Sequence, residues 1–462
     1  MDYMNDKSSP VSLSIYLIMI LLFVASYQAP LQAQDATPYI LPMKQQAALQ
    51  DQWLKERVDN LLPGLMRRAN IDMWLIIARE YNEDPVIETM LPATWLAARR
   101  RTILVMYDDG KQVEALAVAR YDVGASFQKS WDPEKQPDQW KRLVEIIKEK
   151  NPKKIGLNKS AAFALADGLS AAEYDAFLAA LPKTYQNKIV SAEALAIAWL
   201  ETRTASEMVV YPQIVGIAHH IIAEGFSEKV IQPGVTTTDD IVWWYRERIR
   251  ELKLETWFHP SVSLQRADPE SFDHLRSFSQ RPDKEVILPG DLLHVDFGIT
   301  YLGLNTDTQQ HAYVLKPGES SAPDFLLNAF KVGNQLQDIL TNQFQYMKTG
   351  NQILAGALAE AKAKGIKATI YTHPLGYHGH AAGTTIGLWD QQGGVPVQGD
   401  YPLYYNTAHS IELNAAVQIP AWGKEIRIML EEDAFFDEAG VRYIHGRQKD
   451  ILLIPRQISH LK

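Results

Sequence analysis

Apolar residues near the start of the chain form one short block with polar residues on both sides. The block runs from about Leu13 to Ala25, after the basic residue Lys7, and the segment Pro30 to Ala33 follows it. This order predicts a signal peptide, residues 1–33, that is cleaved after Ala33. The block is shorter than the roughly 20 residues that cross a bilayer, so a retained anchor is the weaker alternative. We therefore expect an exported protein, periplasmic or secreted, with no stable membrane span after cleavage.

The next region, residues 35–198, mixes helical and strand periodicities. Apolar residues that recur every three to four positions indicate a helix, and unbroken apolar runs indicate buried strands. Two such runs flank Asp108-Asp109-Gly110, a sequence that is typical of a hairpin turn. We predict a small α/β domain here. Its expected elements are a helix over 46–70 and strands over 72–78, 102–107, 113–118 and 154–157.

Residues 201–456 form the second predicted domain, in which strands become frequent. A long helix is expected from about Ala205, and another follows Gly234, where Thr237 and Asp240 have the spacing of a capping box. The residues of that second helix expected to face the core are Trp243, Trp244 and Ile249. Strands are predicted over 292–297, 309–315, 368–372, 410–419 and 426–436.

Charge and cysteine content narrow the chemistry of the chain. Its 462 residues include 46 Lys and Arg against 55 Asp and Glu, for a net charge of −9. Such a chain repels polyanions, so we expect no nucleic acid partner. The sequence has no cysteine, which excludes disulfides and thiolate metal sites. Any metal must therefore be bound by His, Asp or Glu.

Three acidic residues lie inside apolar runs that read as buried strands. They are Asp296 in Leu292–Phe297, Glu412 after Ser410-Ile411, and Glu431 after Met429-Leu430. A buried carboxylate without a partner costs several kcal/mol, so acids at such positions indicate a shared cation. Asp296-Phe297-Gly298 also matches a kinase tripeptide, but the Gly-rich and catalytic loops of a kinase do not accompany it, and that interpretation fails.

Two further features complete a possible ligand set. Asp307 follows Asp296 by eleven residues across a glycine-containing turn, and a hairpin of that length can return the second acid beside the first. A histidine-rich turn then occupies residues 373–383, before Glu412 and Glu431. The chain thus presents Asp, Asp, His, Glu and Glu in that order.

This order resembles the prolidase, aminopeptidase P and methionine aminopeptidase family, the M24-type metallopeptidases. The motifs that carry the resemblance are the two spaced Asp residues, a Gly-His-x-x-Gly turn at Gly379, Ser-Ile-Glu at Ser410, and a Glu-Glu-Asp strand leading to Gly440. The resemblance covers about residues 201–453. It implies an α+β chain whose C-terminal domain has the pita-bread fold of creatinase and the aminopeptidases, after a smaller creatinase-like α/β domain.

The resemblance implies a site for two divalent ions. In it, Asp296 binds one metal, Asp307 and Glu431 bridge both, and His380 and Glu412 complete the other metal's shell. Four carboxylates would balance the four positive charges. Oxygen-rich ligands with one imidazole suit Mn, Co, Fe or Zn, and the resemblance makes Mn the first expectation. His380 is preferred because glycines stand directly before it and three residues after it.

Other residues receive roles from the same resemblance. Glu412 would move a proton toward the leaving amine, and His274 is the best match for an upstream catalytic histidine. His378 is either a substrate-contacting catalytic group, an alternative ligand, or an ordinary loop histidine.

The chain also departs from the family pattern at two positions. Trp389 stands near the place of a usual histidine, where its ring could pack on a proline. Met429 occupies the usual place of an arginine, and Arg427 is the nearest substitute. Trp389 and Arg427 are therefore the expected substrate-binding residues.

The function implied is a dinuclear metal-dependent exopeptidase, an Xaa-Pro aminopeptidase or dipeptidase. It would hydrolyse Xaa-Pro bonds in peptides or dipeptides with a hydroxide that bridges the metals. Two alternatives stay open: a creatinase-like hydrolase of a non-peptide C–N bond, and a metal-free binding module on the same fold. A homodimer is a further expectation from the family.

Overall fold

A six-stranded mixed sheet lies at the centre of the first region. The structure is a computed structural model that describes residues 38–267 and 284–456. In the sheet, the strands have the order β4-β3-β2-β1-β5-β6. They are β1 (Met73–Arg79), β2 (Arg101–Asp108), β3 (Val113–Val118), β4 (Gln128–Lys129), β5 (Ile155–Leu157) and β6 (Ile189–Ser191).

The central strand β1 explains why its sequence is an unbroken apolar run. Met73, Leu75 and Ile77 pack into one buried cluster on one face of the sheet. Trp74 and Ile76 pack into a different cluster on the other face. Both faces are covered, so neither set of alternating positions needs polar residues. The predicted strand and the predicted hairpin of β2 and β3 are both confirmed.

Helices in the described residues cover these sheets. The predicted helix over 46–70 is confirmed but contains a π-helical turn, Arg57–Leu61, in which the Leu62 N–H donates to the Arg57 carbonyl. The α-helices are Met43–Glu56, Leu62–Ala69, Pro85–Glu88, Gln139–Lys150, Ala171–Ala180, Lys183–Gln186, Glu193–Glu201, Ala205–Gly225, Thr238–Glu251, Asp324–Thr341 and Gly350–Ala363. Within 38–267 and 284–456, every helix is too short or too polar to cross a membrane.

The capping box at Thr237 and Asp240 is present at the start of helix Thr238–Glu251. Its buried face is formed by Ile241, Tyr245 and Ile249. Trp243 points the other way and is 54% exposed, so the expectation that it faces the core was wrong. The helical period places residue 243 opposite the stripe that residues 241, 245 and 249 share.

Among the described residues, the second region contains three larger sheets and the two-stranded sheet β10-β9. One has the order β19-β11-β8-β7, the next β12-β15-β16, and the last β13-β14-β17-β18. The strands are β7 (Ser261–Gln265), β8 (Leu292–Phe297), β9 (Thr300–Tyr301), β10 (Leu304–Asn305), β11 (Thr308–Val314), β12 (Lys367–Ile370), β13 (His373–Leu375), β14 (Thr407–Ser410), β15 (Leu413–Ile419), β16 (Lys424–Leu430), β17 (Asp433–Asp437), β18 (Gly440–Tyr443) and β19 (Leu452–Ile454).

A short hairpin connects β8 to β11 and confirms the predicted return of the chain. Strands β9 and β10 pair around Leu302 and Gly303, which both have positive φ values of 56° and 76°. Two successive positive φ angles are the geometry of a tight hairpin turn, which glycine adopts without strain. Beyond the hairpin, β11 pairs antiparallel with β8, so that Gln309 lies opposite Asp296.

The predicted continuous strands over 410–419 and 426–436 are wrong in one respect. Each is interrupted at its acid, between β14 and β15 at Glu412 and between β16 and β17 at Glu431. The physical reason is that β14 and β17 belong to one sheet, whereas β15 and β16 belong to another. The chain changes sheets at these two points, and both carboxylates lie where the sheets diverge.

The α+β class predicted for the chain is confirmed. Residues from Ile40 onward form one compact unit. The helix Glu193–Glu201 runs across the predicted boundary between residues 198 and 201, and the division into two domains stays a prediction. The predicted signal peptide, residues 1–33, lies outside the described residues.

Candidate metal centre

Acidic and histidine side chains from all three larger sheets of the second region converge at one point. Three overlapping groups have ligand atoms that all lie within 4.8 Å of one another. The groups are Asp296, Asp307 and Glu431; His373, Glu412 and Glu431; and Asp307, His373 and His380. The structure therefore brings together all five residues that the sequence predicted as ligands, and it adds His373.

A glutamine amide orients the two glutamates of this centre. Gln309, on β11, donates from Nε2 to Glu412 Oε1 at 2.8 Å and to Glu431 Oε2 at 2.6 Å. Its Oε1 lies 2.9 Å from His294 Nε2, which fixes the direction of the amide. The Ser410 hydroxyl also donates to Glu431 Oε1 at 2.6 Å. These contacts hold the carboxylates in place independently of any ion.

Electrostatics in the centre are unfavourable for the protein alone. Burial raises the pKa of Asp307 well above its ordinary value, and the nearby Glu431 and Asp296 raise it further. Burial and then Glu431 do the same for the pKa of Glu412. In the described part of the chain, His373 is the cationic partner recorded for Asp307 and Glu431, at 3.4 Å from each. Several acids thus share one histidine.

Two buried atoms of the centre have no hydrogen-bond partner in the described structure. They are Asp307 Oδ1 and His373 Nε2. Buried polar atoms are rarely left in this state unless an ion or a water completes them. Carboxylate oxygens with an imidazole nitrogen form a ligand set that suits a first-row divalent metal. The residues present therefore fit the two divalent ions that the sequence implied.

His373 is the residue that sequence reasoning missed. It is the first residue of β13, it is 3% exposed, and its Nδ1 lies 3.0 Å from the Pro374 carbonyl, so its Nε2 points to the acids. His380 is exposed, and its ring centroid lies 4.7 Å from that of His373. A glycine three residues later marks both histidines. In the sequence, the two histidines differ in that His380 also has a glycine directly before it. A neighbouring glycine does not predict whether a histidine is buried.

The remaining predicted residues lie around the centre. Trp389 borders the central cavity, as does Met429. His378 is absent from that cavity and borders a neighbouring one. Arg427 does not border the central cavity, and its guanidinium is 3.6 Å from Glu425. His274 lies outside the described residues.

The acids open into a cavity of about 240 Å³ with aromatic walls. The aromatic side chains that border it are Trp257, Phe258, Tyr371 and Trp389. Trp257 lies directly against Gly379, where an added Cβ would come within 2.2 Å of the indole ring. Its Nε1 donates to the Thr306 carbonyl at 3.0 Å. Only glycine at position 379 lets the indole occupy this place.

The sequence around this centre is similar to that of a known enzyme family. Residues 213–435 match the sequence model of metallopeptidase family M24. This region belongs to the M24 metallopeptidases. The matched segment includes every residue of the three metal-binding groups. No curated protein matches the chain significantly.

Solved structures with the same fold include M24-type Xaa-Pro peptidases. The X-Pro aminopeptidase of Thermotoga maritima has a TM-score of 0.60 at 17% identity, over 84% of this chain and 99% of that one. The Xaa-Pro dipeptidase of Bacillus anthracis has a TM-score of 0.55 at 17% identity, over 88% and 99%. These likenesses confirm the pita-bread fold with its preceding N-terminal region.

The fold also matches a protein that is not named as a peptidase. It is the N-terminal domain of FACT complex subunit SPT16 from Cicer arietinum (chickpea), with a TM-score of 0.53 at 9% identity. That match covers 89% of this chain and 98% of the other. The fold alone therefore does not determine the activity, and an inference about activity depends on the three groups of possible metal ligands.

Proposed function

We propose that this M24 metallopeptidase is a dinuclear exopeptidase that cleaves the bond before proline in peptides or dipeptides. The observation that carries the proposal is the convergence of four carboxylates and a buried histidine at one point, where the buried Asp307 Oδ1 has no hydrogen-bond partner among the described residues. The structures it resembles include an X-Pro aminopeptidase and an Xaa-Pro dipeptidase. Two divalent ions, with Mn the first expectation, would lower the pKa of a water molecule and polarise the scissile carbonyl.

We assign the ligands as Asp296, Asp307, His373, Glu412 and Glu431. His373 replaces His380 in this set because it is buried and lies 3.4 Å from the carboxylates of both Asp307 and Glu431. Asp307, Glu431 and His373 each occur in two of the three groups, and of these only the two carboxylates have two oxygens with which to bridge two ions. Asp296 and Glu412 each occur in one.

His380 then becomes available for the substrate. It borders the central cavity, and its Nε2 lies 3.4 Å from the Tyr371 hydroxyl. Partial desolvation at the cavity wall, followed by the neighbouring His373, lowers the pKa of His380 to about 4 although part of its side chain is exposed. The imidazole is therefore neutral at pH 7 and can donate a hydrogen bond from one nitrogen to a peptide carbonyl.

Glu412 is the group proposed to move a proton. Its Oε1 is held by the Gln309 amide, which fixes the plane of the carboxylate at the edge of the cavity. It would take a proton from the attacking water and return it to the leaving nitrogen of proline. The aromatic walls at Trp257, Phe258 and Trp389 would exclude water and pack against the pyrrolidine ring.

The test combines metal analysis with peptide hydrolysis. The purified protein is loaded with Mn(II), its metal content is measured, and Ala-Pro, Ala-Pro-Ala and their Ala-Ala counterparts are assayed. We expect about two ions per chain and cleavage of the proline substrates only. Metal binding without cleavage of either proline peptide would reject the proline specificity. A metal content near zero after reconstitution would instead favour a binding module on this fold.

Export and assembly remain part of the proposal. We propose that the chain is exported with residues 1–33 removed and that it forms a homodimer. N-terminal sequencing of the periplasmic fraction should begin near residue 34, and a chain that still begins at Met1 would contradict cleavage. Analytical ultracentrifugation should give twice the mass of the processed chain.

A further inference from the structure

A second and larger cavity adjoins the metal centre. Its volume is about 760 Å³, and it shares Trp257 and His380 with the central cavity. One side is formed by the helix Met43–Glu56 and the segment 88–95, and the other by the β9–β10 hairpin and the turn at Tyr377. The path from the metal centre thus leads into a space that a dipeptide would leave empty.

The walls of both cavities share an unusual charge distribution. Among the described residues that border them, there is no lysine and no arginine. The second cavity has two exposed carboxylates, Glu88 and Glu255.

This distribution bears on the length of the substrate. An Xaa-Pro dipeptide carries its free carboxylate on the proline itself, next to the scissile bond. Proteins recognise such a group by a lysine, an arginine or a nest of backbone N–H groups, and an unpaired carboxylate in a confined site is unfavourable. A longer peptide has a neutral amide at that position, and its carboxylate lies farther away.

On this basis, and given the function proposed above, we infer that the protein is an aminopeptidase for peptides of three or more residues rather than a dipeptidase. The proline would occupy the central cavity, and the residues after it would pass between Trp257 and His380 into the second cavity. The segment 88–95 of the N-terminal region would then contact the substrate directly.

The first experiment removes only the carboxylate charge. The Mn(II)-loaded protein is assayed with Ala-Pro, its C-terminal amide and Ala-Pro-Ala, and kcat/KM is compared. We expect the amide and the tripeptide to exceed the free dipeptide by at least about tenfold, because the described residues that border the central cavity include no lysine or arginine to pair with its carboxylate. A preference for the free dipeptide over its amide would overturn the inference and leave proline specificity intact. Failure to cleave all three would overturn the proposed function, and this inference with it.

Two substitutions test the two cavities separately. Ala93 borders the second cavity, so Ala93→Trp should lower kcat/KM for Ala-Pro-Ala and longer peptides by about tenfold, with little change for the dipeptide amide. Leu96→Trp is the matched control, since Leu96 lies three residues away, is fully exposed and does not border the cavity. If Ala93→Trp lowers kcat/KM equally for the amide and for the tripeptide, the residues after proline do not bind in the second cavity.

A gain of function provides the converse test. Thr369 borders the central cavity and is partly exposed at β12. Thr369→Lys adds a cation there and should raise kcat/KM for Ala-Pro relative to its amide. If the ratio of kcat/KM for Ala-Pro to that for its amide stays unchanged in a folded, metal-loaded variant, the lack of a cation in the central cavity does not set the preference. That result would contradict the inference.

Discussion

Two buried charged clusters of this protein have opposite electrostatics. In one, the Glu207 carboxylate lies 3.1 Å from Arg57 and 3.6 Å from Arg203, and all three side chains are buried. Burial alone would raise the pKa of Glu207, but Arg203 and Arg57 outweigh it and hold this pKa below its ordinary value. At the metal centre, burial raises the pKa of Asp307 and the neighbouring acids add to it.

The difference lies in where the cation comes from. The Glu207 cluster contains its own two arginines, so the cations that face this carboxylate come from the folded chain itself. The metal centre has acids from three sheets and, among the residues described, histidine as their basic partner. Cations that bind from solution would therefore stabilise such a centre.

The largest effect should follow removal of the metals. Treatment with a chelator should abolish peptidase activity and lower the unfolding temperature, because the carboxylates then repel one another without compensation. Activity and melting temperature are measured before and after chelation, and again after Mn(II) is restored. An unchanged melting temperature with metal fully removed would show that the acids are tolerated without cations.

The complementary change is Glu207→Gln in the Glu207 cluster. It leaves two buried arginines without their carboxylate and should destabilise the protein by about 3 to 5 kcal/mol. Urea unfolding of the metal-loaded protein measures this loss. The number of bound metal ions should stay the same, and a loss of metal would show that the two clusters are not independent.

The next effect separates the two histidines. His373→Ala should weaken metal binding by about 100-fold, because it removes a ligand, whereas His380→Ala should change it far less. Metal content and affinity are measured by titration of both variants. The matched pair is informative because both histidines border the same centre, with ring centroids 4.7 Å apart. If only His380→Ala loses metal, the ligand is His380, as predicted from the sequence, and not His373.

The smallest effect concerns a third buried acid, Glu201. Burial raises its pKa to about 8, although Arg68 lies 3.5 Å from Oε1. Between pH 4.5 and about 8, Glu201 is protonated in the folded state and ionised in the unfolded state. The free energy of unfolding therefore falls as the pH rises through this range. Glu201→Gln should remove up to about 2 kcal/mol of that decrease between pH 5.5 and 7.5. Urea midpoints at both pH values test it, and parallel slopes in the two proteins would contradict the raised pKa.

The comparison also explains what the sequence could reveal. Asp296, Glu412 and Glu431 stand out because an acid within an apolar run is energetically anomalous wherever the chain folds. The spacing from Asp296 to Asp307 was also informative, since a short hairpin restricts where the second acid can lie. These signals are local, and the structure shows the predicted acids together.

Other features depended on distant parts of the chain. The breaks at Glu412 and Glu431 were missed because apolar residues continue on both sides, and the change of sheet leaves no local mark. His373 was missed because the residues around it come from distant parts of the chain: Ser410 lies opposite it on β14, and Asp307 and Glu431 lie 3.4 Å from its Nε2. The second cavity lies between segments more than 150 residues apart, and no periodicity within either segment predicts it.

The contact between Gly379 and Trp257 has a consequence for engineering the substrate range. Because the indole already fills the volume that a methyl group at position 379 would need, a library that varies position 379 alone would return mostly inactive clones. Any larger residue at position 379 must be combined with a smaller side chain at position 257. Since Trp257 borders both cavities, such a paired change would alter the shape of both at once.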